Sequence, residues 1–222
     1  RMLTIHLGEP PKSFHWEWTD ADGAFHRDGE ITPVEFWNKY VGSADLDSYV
    51  CPVDDPRKEH SKGTKIGIEH LGNVAGGDPT EYLNVPIEFM KDCVRTILVE
   101  QGIPVWFGAD CHPMMDRQDG AWATDLFEYG EVYGVDFDMD KEQRVRFADS
   151  AMNHAMAFVG VDVDDDGTTT RRWRVENSWG TKIADKGYFT MADDWFAQYV
   201  FEVAVPKAML PEEYRKALGE PA

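Results

Sequence analysis

The sequence predicts an α+β fold, with helices and loops leading into an antiparallel, β-barrel-like sheet that carries flanking helices. Three observations support this. Residues 84–102, "NVPIEFMKDCVRTILVEQG", place Ile87, Met90, Val94, Ile97 and Leu98 on one helical face. Four strand-like runs crowd the segment from 153 to 206. A short helical tail, "LPEEYRKALGEPA", has Pro211 near its start and Gly219 near its end.

In chain order, "ITPVEFW" starts a helix: Thr32 can cap it, Pro33 suits its first position, and Glu35 completes a capping box. Turn formers and polar residues dominate 42–82, which reads as loop with short strands, including "TKIGIEHLG" with Ile66 and Ile68 alternating. In the helix over 84–102, Pro86 stands near the start and Gly102 just past the end, and Cys93 beside the stripe reads as a packing residue. "IPVWFGAD" is a short buried strand. Residues 111–140 lack a sustained period and read as loop with short extended pieces. "DKEQRVRFADSAM" reads as a helix leading straight into His154, followed by strands at 153–163, 169–178, 187–191 and 198–206. The expected organisation is a helix/loop region at 1–140, a sheet region at 141–206, and a C-terminal helix and tail at 207–222.

Composition excludes several functions. With 222 residues, 42% of them hydrophobic, and eight Trp, the chain can build a packed core. No run of about 18 apolar residues exists to span a membrane. The formal net charge of −19 comes from scattered acids and opposes binding of nucleic acid. The densest basic cluster, Arg171-Arg172 with Arg174, reads as a solvated strand edge. Cys51, Cys93 and Cys111 form no CxxC pair, and the odd count suits a reducing compartment, with the cytoplasm as the expectation. The opening "RMLTIHLGEPPKSFHWEW" lacks the pattern of a signal peptide and reads as a chain already under way.

The chemistry centres on two residues. Strand alternation puts His154, Met156, Phe158 and Gly160 on one face, and Arg171, Trp173, Val175 and Asn177 on one face of the next strand. A turn centred between Asp165 and Asp166 sets His154 directly opposite Asn177, with β-carbons about 4.5–5.5 Å apart. Centring it on Asp166-Gly167 slides the register by two and leaves them diagonal neighbours on the same face. An amide oxygen accepting from one imidazole nitrogen fixes the tautomer and frees the other nitrogen for proton exchange. From pattern alone, a satisfied polar pair in a hairpin is the alternative.

"NHAM" followed by "VENSWGTKIADKGYFTM" resembles the His and Asn boxes of papain-like cysteine peptidases. "HLGEPPKSFHWEW", "ITPVEFW", "HLGNVAGGDPTEYLNVPIEFMK", "PVWFGAD", "SAMNHAM", "RWRVENSWG" and "DDWFAQYVFEVAVPK" together resemble the bleomycin hydrolase and aminopeptidase C family over almost the whole chain. The resemblance implies a papain-like fold. It also implies His154 as catalytic base, Asn177 as its orienter, Trp179 as the indole shielding their hydrogen bond, and Asn153 offering its backbone carbonyl to substrate. The implied reaction is hydrolysis of amino-terminal peptide bonds through a thioester, on peptide substrates, with no metal or other cofactor, in a homohexamer.

Such a peptidase needs a thiolate at a helix N-terminus and a donor for the oxyanion. The family carries these in a Gln…Gly-Ser-Cys-Trp stretch that is not among these 222 residues. Cys111, beside His112 and followed by Pro113, is the internal alternative, although Cys51, Cys93 and Cys111 are all expected to be structural thiols with no imidazole partner. Gly108-Ala109-Asp110 also departs from the family's Gly-Cys-Asp. The expectation is therefore the C-terminal half of a longer peptidase, partnered by its missing N-terminal half, with the tail cut short at Glu220-Pro221-Ala222. The rival class is a catalytically silent fragment or pseudo-enzyme serving folding or oligomerisation. A calcium loop over Asp162, Asp164, Asp166 and Gly167 would need a Glu where Trp173 stands. The seven His residues show no HExxH spacing, so no metal site is expected.

Overall fold

The amphipathic stripe of residues 87–98 becomes the helix that backs a large sheet. The computed structural model describes residues 1–42, 46–68, 71, 75–77 and 79–219. Parts of "HLGNVAGGDPTEYLNVPIEFMK" (His70, residues 72–74 and 78) and the Glu220-Pro221-Ala222 end lie outside the described residues. The chain forms two compact units, one within residues 1–47 and one from Ser48 onward.

In the first unit, α1 (Met2–Leu7) buries none of its side chains, and β1 (Phe14–Thr19) pairs antiparallel with β2 (Phe25–Ile31). Helix α2 (Pro33–Tyr40) starts with the predicted capping box: Thr32 accepts from Glu35 N, and the Glu35 side chain accepts from Thr32 N. Alternation along β1 turns Phe14, Trp16 and Trp18 to one side. There Trp16 meets Phe36 edge-on at 5.0 Å, and Trp18 meets Tyr40 at 5.5 Å.

The second unit contains β3 (Tyr49–Val50), β4 (Pro52–Val53), β5 (Thr64–Gly67), β6 (Glu81–Asn84), α3 (Ile87–Thr96), β7 (Val105–Ala109), β8 (Met115–Asp116) and β9 (Ala121–Trp122). It continues with α4 (Tyr129–Tyr133), α5 (Lys141–Arg146), β10 (His154–Val163), β11 (Thr170–Glu176), β12 (Tyr188–Ala192), α6 (Asp193–Tyr199), β13 (Val200–Val203), β14 (Val205–Pro206) and α7 (Glu212–Ala217). Ten strands form one sheet in the order β5-β6-β4-β13-β7-β10-β11-β12-β9-β8. The central run from β13 to β12 is antiparallel throughout, whereas β4 pairs with β6 and β12 with β9 in parallel. The order does not close on itself, so the sheet is open and mixed rather than a closed barrel. It draws strands from both sides of the 140/141 division expected from sequence.

Met90, Val94 and Ile97 of the helical stripe pack with Val105, Phe107, Phe158 and Phe196 in one core, and Cys93 is buried beside them. Phe158 is its centre: it stacks on Phe107 at 3.8 Å and on Phe196 at 5.2 Å, and Trp173 lies 5.4 Å away. Aromatic side chains bury the most apolar area per residue, so this cluster carries a large share of the folding energy. On the opposite face of β7, Gly108 leaves room for its neighbours: a Cβ there would overlap Met152 Sδ and come within 3.0 Å of Glu202 Cγ. The buried Lys141 ammonium donates to Asp54 Oδ2 at 2.8 Å and to Val200 O at 2.6 Å, tying α5 to β4 and β13. Burial lowers the Lys141 pKa, and the Asp54 carboxylate opposes that shift.

Three expectations need correction. Residues 193–199 form α6, where only a strand at 198–206 was expected, and Gln198 and Tyr199 belong to the helix. Its two leading acids complement the helix dipole, and Trp195, Phe196 and Tyr199 are buried. Helix α5 stops at Arg146 instead of reaching His154, with Ala148 at φ 56 breaking the helical path. The arginine cluster is not an edge, because β11 lies between β10 and β12. Its exposed side chains are paired, Arg171 and Arg172 with Asp162, and Arg174 with Asp185.

Candidate active site

The β10–β11 hairpin places the two residues singled out from sequence. Its turn is closed by Gly167 N donating to Asp164 O at 3.0 Å and Asp164 N donating to Thr169 O at 2.9 Å, while Asp166 Oδ1 accepts from Thr168 N at 2.7 Å. The register runs Val163↔Thr170 near the turn and Phe158↔Val175 and Ala157↔Glu176 farther on. Irregularities between Asp162 and Val163 and between Phe158 and Gly160 cancel, so the near and far ends share one register. Continuing it sets Met156 opposite Asn177 and leaves His154 diagonal to Asn177, the second of the two registers considered.

The side chains meet: His154 Nε2 lies 2.9 Å from Asn177 Oδ1. The same oxygen accepts from Ser178 N at 2.8 Å, which fixes the orientation of the amide. An oxygen can only accept, so Nε2 must carry the imidazole proton and Nδ1 is the nitrogen left with a lone pair. Asn177 Nδ2 is buried with no hydrogen-bond partner among the described residues. Trp179 stacks on the imidazole at 5.1 Å and 22°, and Phe189 meets the indole edge-on at 5.7 Å. This covers one face of the His154 imidazole with apolar surface. His154 pairs with Ala109 of β7, so the imidazole rises from an interior strand.

Asn153 is placed by its side chain. Its Nδ2 donates to Asp110 Oδ1 at 2.6 Å, and its Oδ1 accepts from Cys111 N at 3.1 Å. Ser150 Oγ donates to the other Asp110 oxygen at 2.8 Å. Asp110 therefore anchors the approach to His154 from two sides, and the Asn153 side chain is engaged within the protein. A cavity of about 350 Å³ opens beside residues 150–152, walled by Val53, Ile66, Tyr82 and Phe201 with Glu202 among them. Burial pushes the Glu202 carboxyl upward despite its bond to Tyr82.

The cysteines are set differently. Cys111 is buried, no helix begins at it, and burial with the nearby Asp110 charge pushes its thiol up to about 11. It does have an imidazole neighbour, His112 Nδ1 at 3.4 Å from Sγ, which corrects the expectation that none of the three thiols would have one. Burial, with Asp92, pushes Cys93 up to about 12, and burial raises Cys51. The acidic run considered for calcium is engaged within the protein: Asp162 pairs with Arg171 and Arg172, Asp166 bonds Thr168, and Trp173 is buried in the core.

Sequence reasoning missed Arg117, whose guanidinium carbon lies 5.0 Å from the Trp179 ring centroid. The segment "DRQDG" at 116–120 carries turn chemistry, but nothing in it names the residue it would face.

An imidazole and an amide joined across adjacent strands beneath an indole belong to the papain-like cysteine peptidase fold. The chain matches the Peptidase C1-like family over residues 1–222 and belongs to it. It is 42% identical over 220 residues to an aminopeptidase C of Lactobacillus delbrueckii subsp. lactis, covering 99% of this chain and 48% of that protein. To bleomycin hydrolase of Homo sapiens it is 40% identical over 224 residues, covering 99% and 49%. The crystal structure of PepW from "lactobacillus rhamnosis hn001 (dr20)" superposes with a TM-score of 0.90 at 38% identity, over 98% of this chain and 48% of that one. The chain spans about half the length of the curated relatives it matches.

Proposed function

We propose that this chain is the His/Asn-bearing portion of a thiol aminopeptidase acting on peptides, with His154 as base, Asn177 as its orienter and the nucleophilic cysteine outside these 222 residues. The observation that carries the reading is the 2.9 Å contact between Nε2 and Oδ1, with the amide oriented by Ser178 N. Nδ1 then takes the thiol proton, and the thiolate attacks the scissile carbonyl carbon. The resulting imidazolium returns that proton to the leaving amine as the carbon–nitrogen bond breaks, giving a thioester. Water, deprotonated by the same Nδ1, hydrolyses the thioester and restores the thiol. Asn177 transfers no proton; it holds the ring and its tautomer.

The relatives' names, aminopeptidase and bleomycin hydrolase, support the amino-terminal substrate class. The burial-raised thiols of Cys51, Cys93 and Cys111 support a nucleophile supplied from elsewhere in the parent. Three free thiols suit a reducing compartment, the cytoplasm, and we carry a homohexameric parent and the substrate-facing Asn153 carbonyl as parts of the same proposal. In the full-length parent, His154→Ala is expected to abolish hydrolysis of aminoacyl-amide substrates. Wild-type turnover in that variant would end the proposal. The 222-residue chain alone is expected to hydrolyse none of them, and turnover by it that disappears in Cys111→Ser would move the nucleophile to Cys111.

A further inference from the structure

The turn at residues 116–120, exposed at its tip, is closed by its own hydrogen bonds. Asp116 Oδ1 accepts from Gln118 N at 2.8 Å and Asp119 N at 3.0 Å, and Gly120 N donates to Asp116 O at 2.9 Å. The turn is fastened to the segment that follows Asn177. Ala184 N donates to Gln118 O at 3.2 Å, and Thr190 N donates to Gly120 O at 2.8 Å. Gly120 sits at φ 74, and a Cβ there would overlap Ala184, so the contact admits only glycine. From this turn the Arg117 guanidinium lies 5.0 Å from the Trp179 centroid, and the same indole stacks on His154 at 5.1 Å.

We propose that Arg117 is a positioning residue for His154: its guanidinium, presented over Trp179 by the braced 116–120 turn, holds the indole against the imidazole. The proposal rests on the functional reading above for its catalytic consequence, but not for its geometry. Trp179 is half-buried, and Phe189 meets it edge-on, which limits its position without fixing its tilt. A guanidinium is planar, always charged and weakly hydrated, so it is attracted to the indole π-face even where solvent reaches it. Asn177 constrains His154 through one nitrogen and leaves the ring free to rock about that hydrogen bond. The stacked indole restrains this rocking, and Arg117 sets where the indole lies.

The test uses NMR on the 222-residue chain, with the His154 ring protons assigned by comparison with His154→Gln. The indole ring current displaces those signals. Arg117→Gln is expected to move them toward free-histidine positions, and Arg117→Lys, which keeps the cation, to retain most of the displacement. In the full-length parent, Arg117→Gln is expected to lower kcat about 2- to 5-fold with KM unchanged, as fits one exposed cation–π contact, and Arg117→Lys to recover most of it. His154 signals unmoved by Arg117→Gln would overturn the proposal. Equal displacement in both variants would also overturn it, since packing rather than charge would then place the indole. The NMR arm needs no turnover, so a parent that proves indifferent to His154→Ala would remove the functional reading and leave this result standing on its own.

Discussion

His154 meets Asn177 at 2.9 Å and His112 meets Cys111 at 3.4 Å, and both contacts lie near the end of β7. By residue type the second pair looks more like a nucleophile and its base, yet its surroundings oppose that role. Cys111 is fully buried, its thiol is held up to about 11, and no helix begins at it. The first pair contains no nucleophile, but its amide is oriented by a backbone N–H and its ring is stacked, and Nδ1 is left with its lone pair. A Cys–His contact becomes reactive only where the environment stabilises the thiolate. A His–Asn contact is useful wherever the ring's second nitrogen stays accessible.

The sharpest way to break this comparison is in the full-length parent. His154→Ala should reduce turnover on the order of 10⁴-fold or more, whereas Cys111→Ser should change it by less than about 2-fold. Asn177→Ala comes next, with an expected loss of about 10- to 1000-fold in kcat, or about 1.4 to 4 kcal/mol of barrier. Asn177→Asp should instead reshape the pH–rate profile, because a carboxylate beside the ring favours the imidazolium. Kinetics of Asn177→Ala indistinguishable from wild type in rate and pH profile would reduce the amide to hairpin structure.

Two smaller effects concern the buried thiols. At pH 8 the native Cys111 should react with iodoacetamide at least about 10-fold more slowly than an unfolded thiol, because burial both lowers its thiolate fraction and shields the sulfur. The displaced pKa values also predict a pH dependence of stability. The folded chain holds the Cys111 and Cys93 protons more tightly than the unfolded chain, whose thiols titrate near the ordinary 9.0. Stability from these groups is therefore full below pH 9 and declines as pH rises toward about 11 for Cys111 and about 12 for Cys93. Urea unfolding midpoints should fall across that window, and less steeply in Cys111→Ala.

Much of the architecture was legible because it rests on local signals. The Thr32–Glu35 capping box, the stripe from Ile87 to Leu98 and the strand alternation around His154 each express a single period or cap in consecutive residues. Helix α6 was not legible: seven residues are too few to display a period, and its buried Trp195 and Phe196 read as easily in a strand. The parallel ladders joining β4 to β6 and β9 to β12 were invisible for another reason, since two-residue strands are defined by their partners rather than by their own pattern. At the site, hairpin arithmetic brought Asn177 to His154, whereas Arg117 and Asp110 arrive from other strands and turns, and no spacing along the chain encodes that approach.

The cancelling irregularities in the β10–β11 hairpin protect the pairing of this stretch of chain. Each is one extra residue, Arg171 on β11 and Val159 on β10, so the two strands reach Asn177 and His154 having advanced equally from the turn. Deleting either extra residue alone would let that step pair regularly and would leave Phe158↔Val175 and the pairs beyond it in place. One residue inserted or lost in β10 between Phe158 and His154 would instead turn the imidazole and the amide to opposite faces. Length is thus free to vary at the two irregularities and in the turn, and is constrained in the three residues that separate Phe158 from His154.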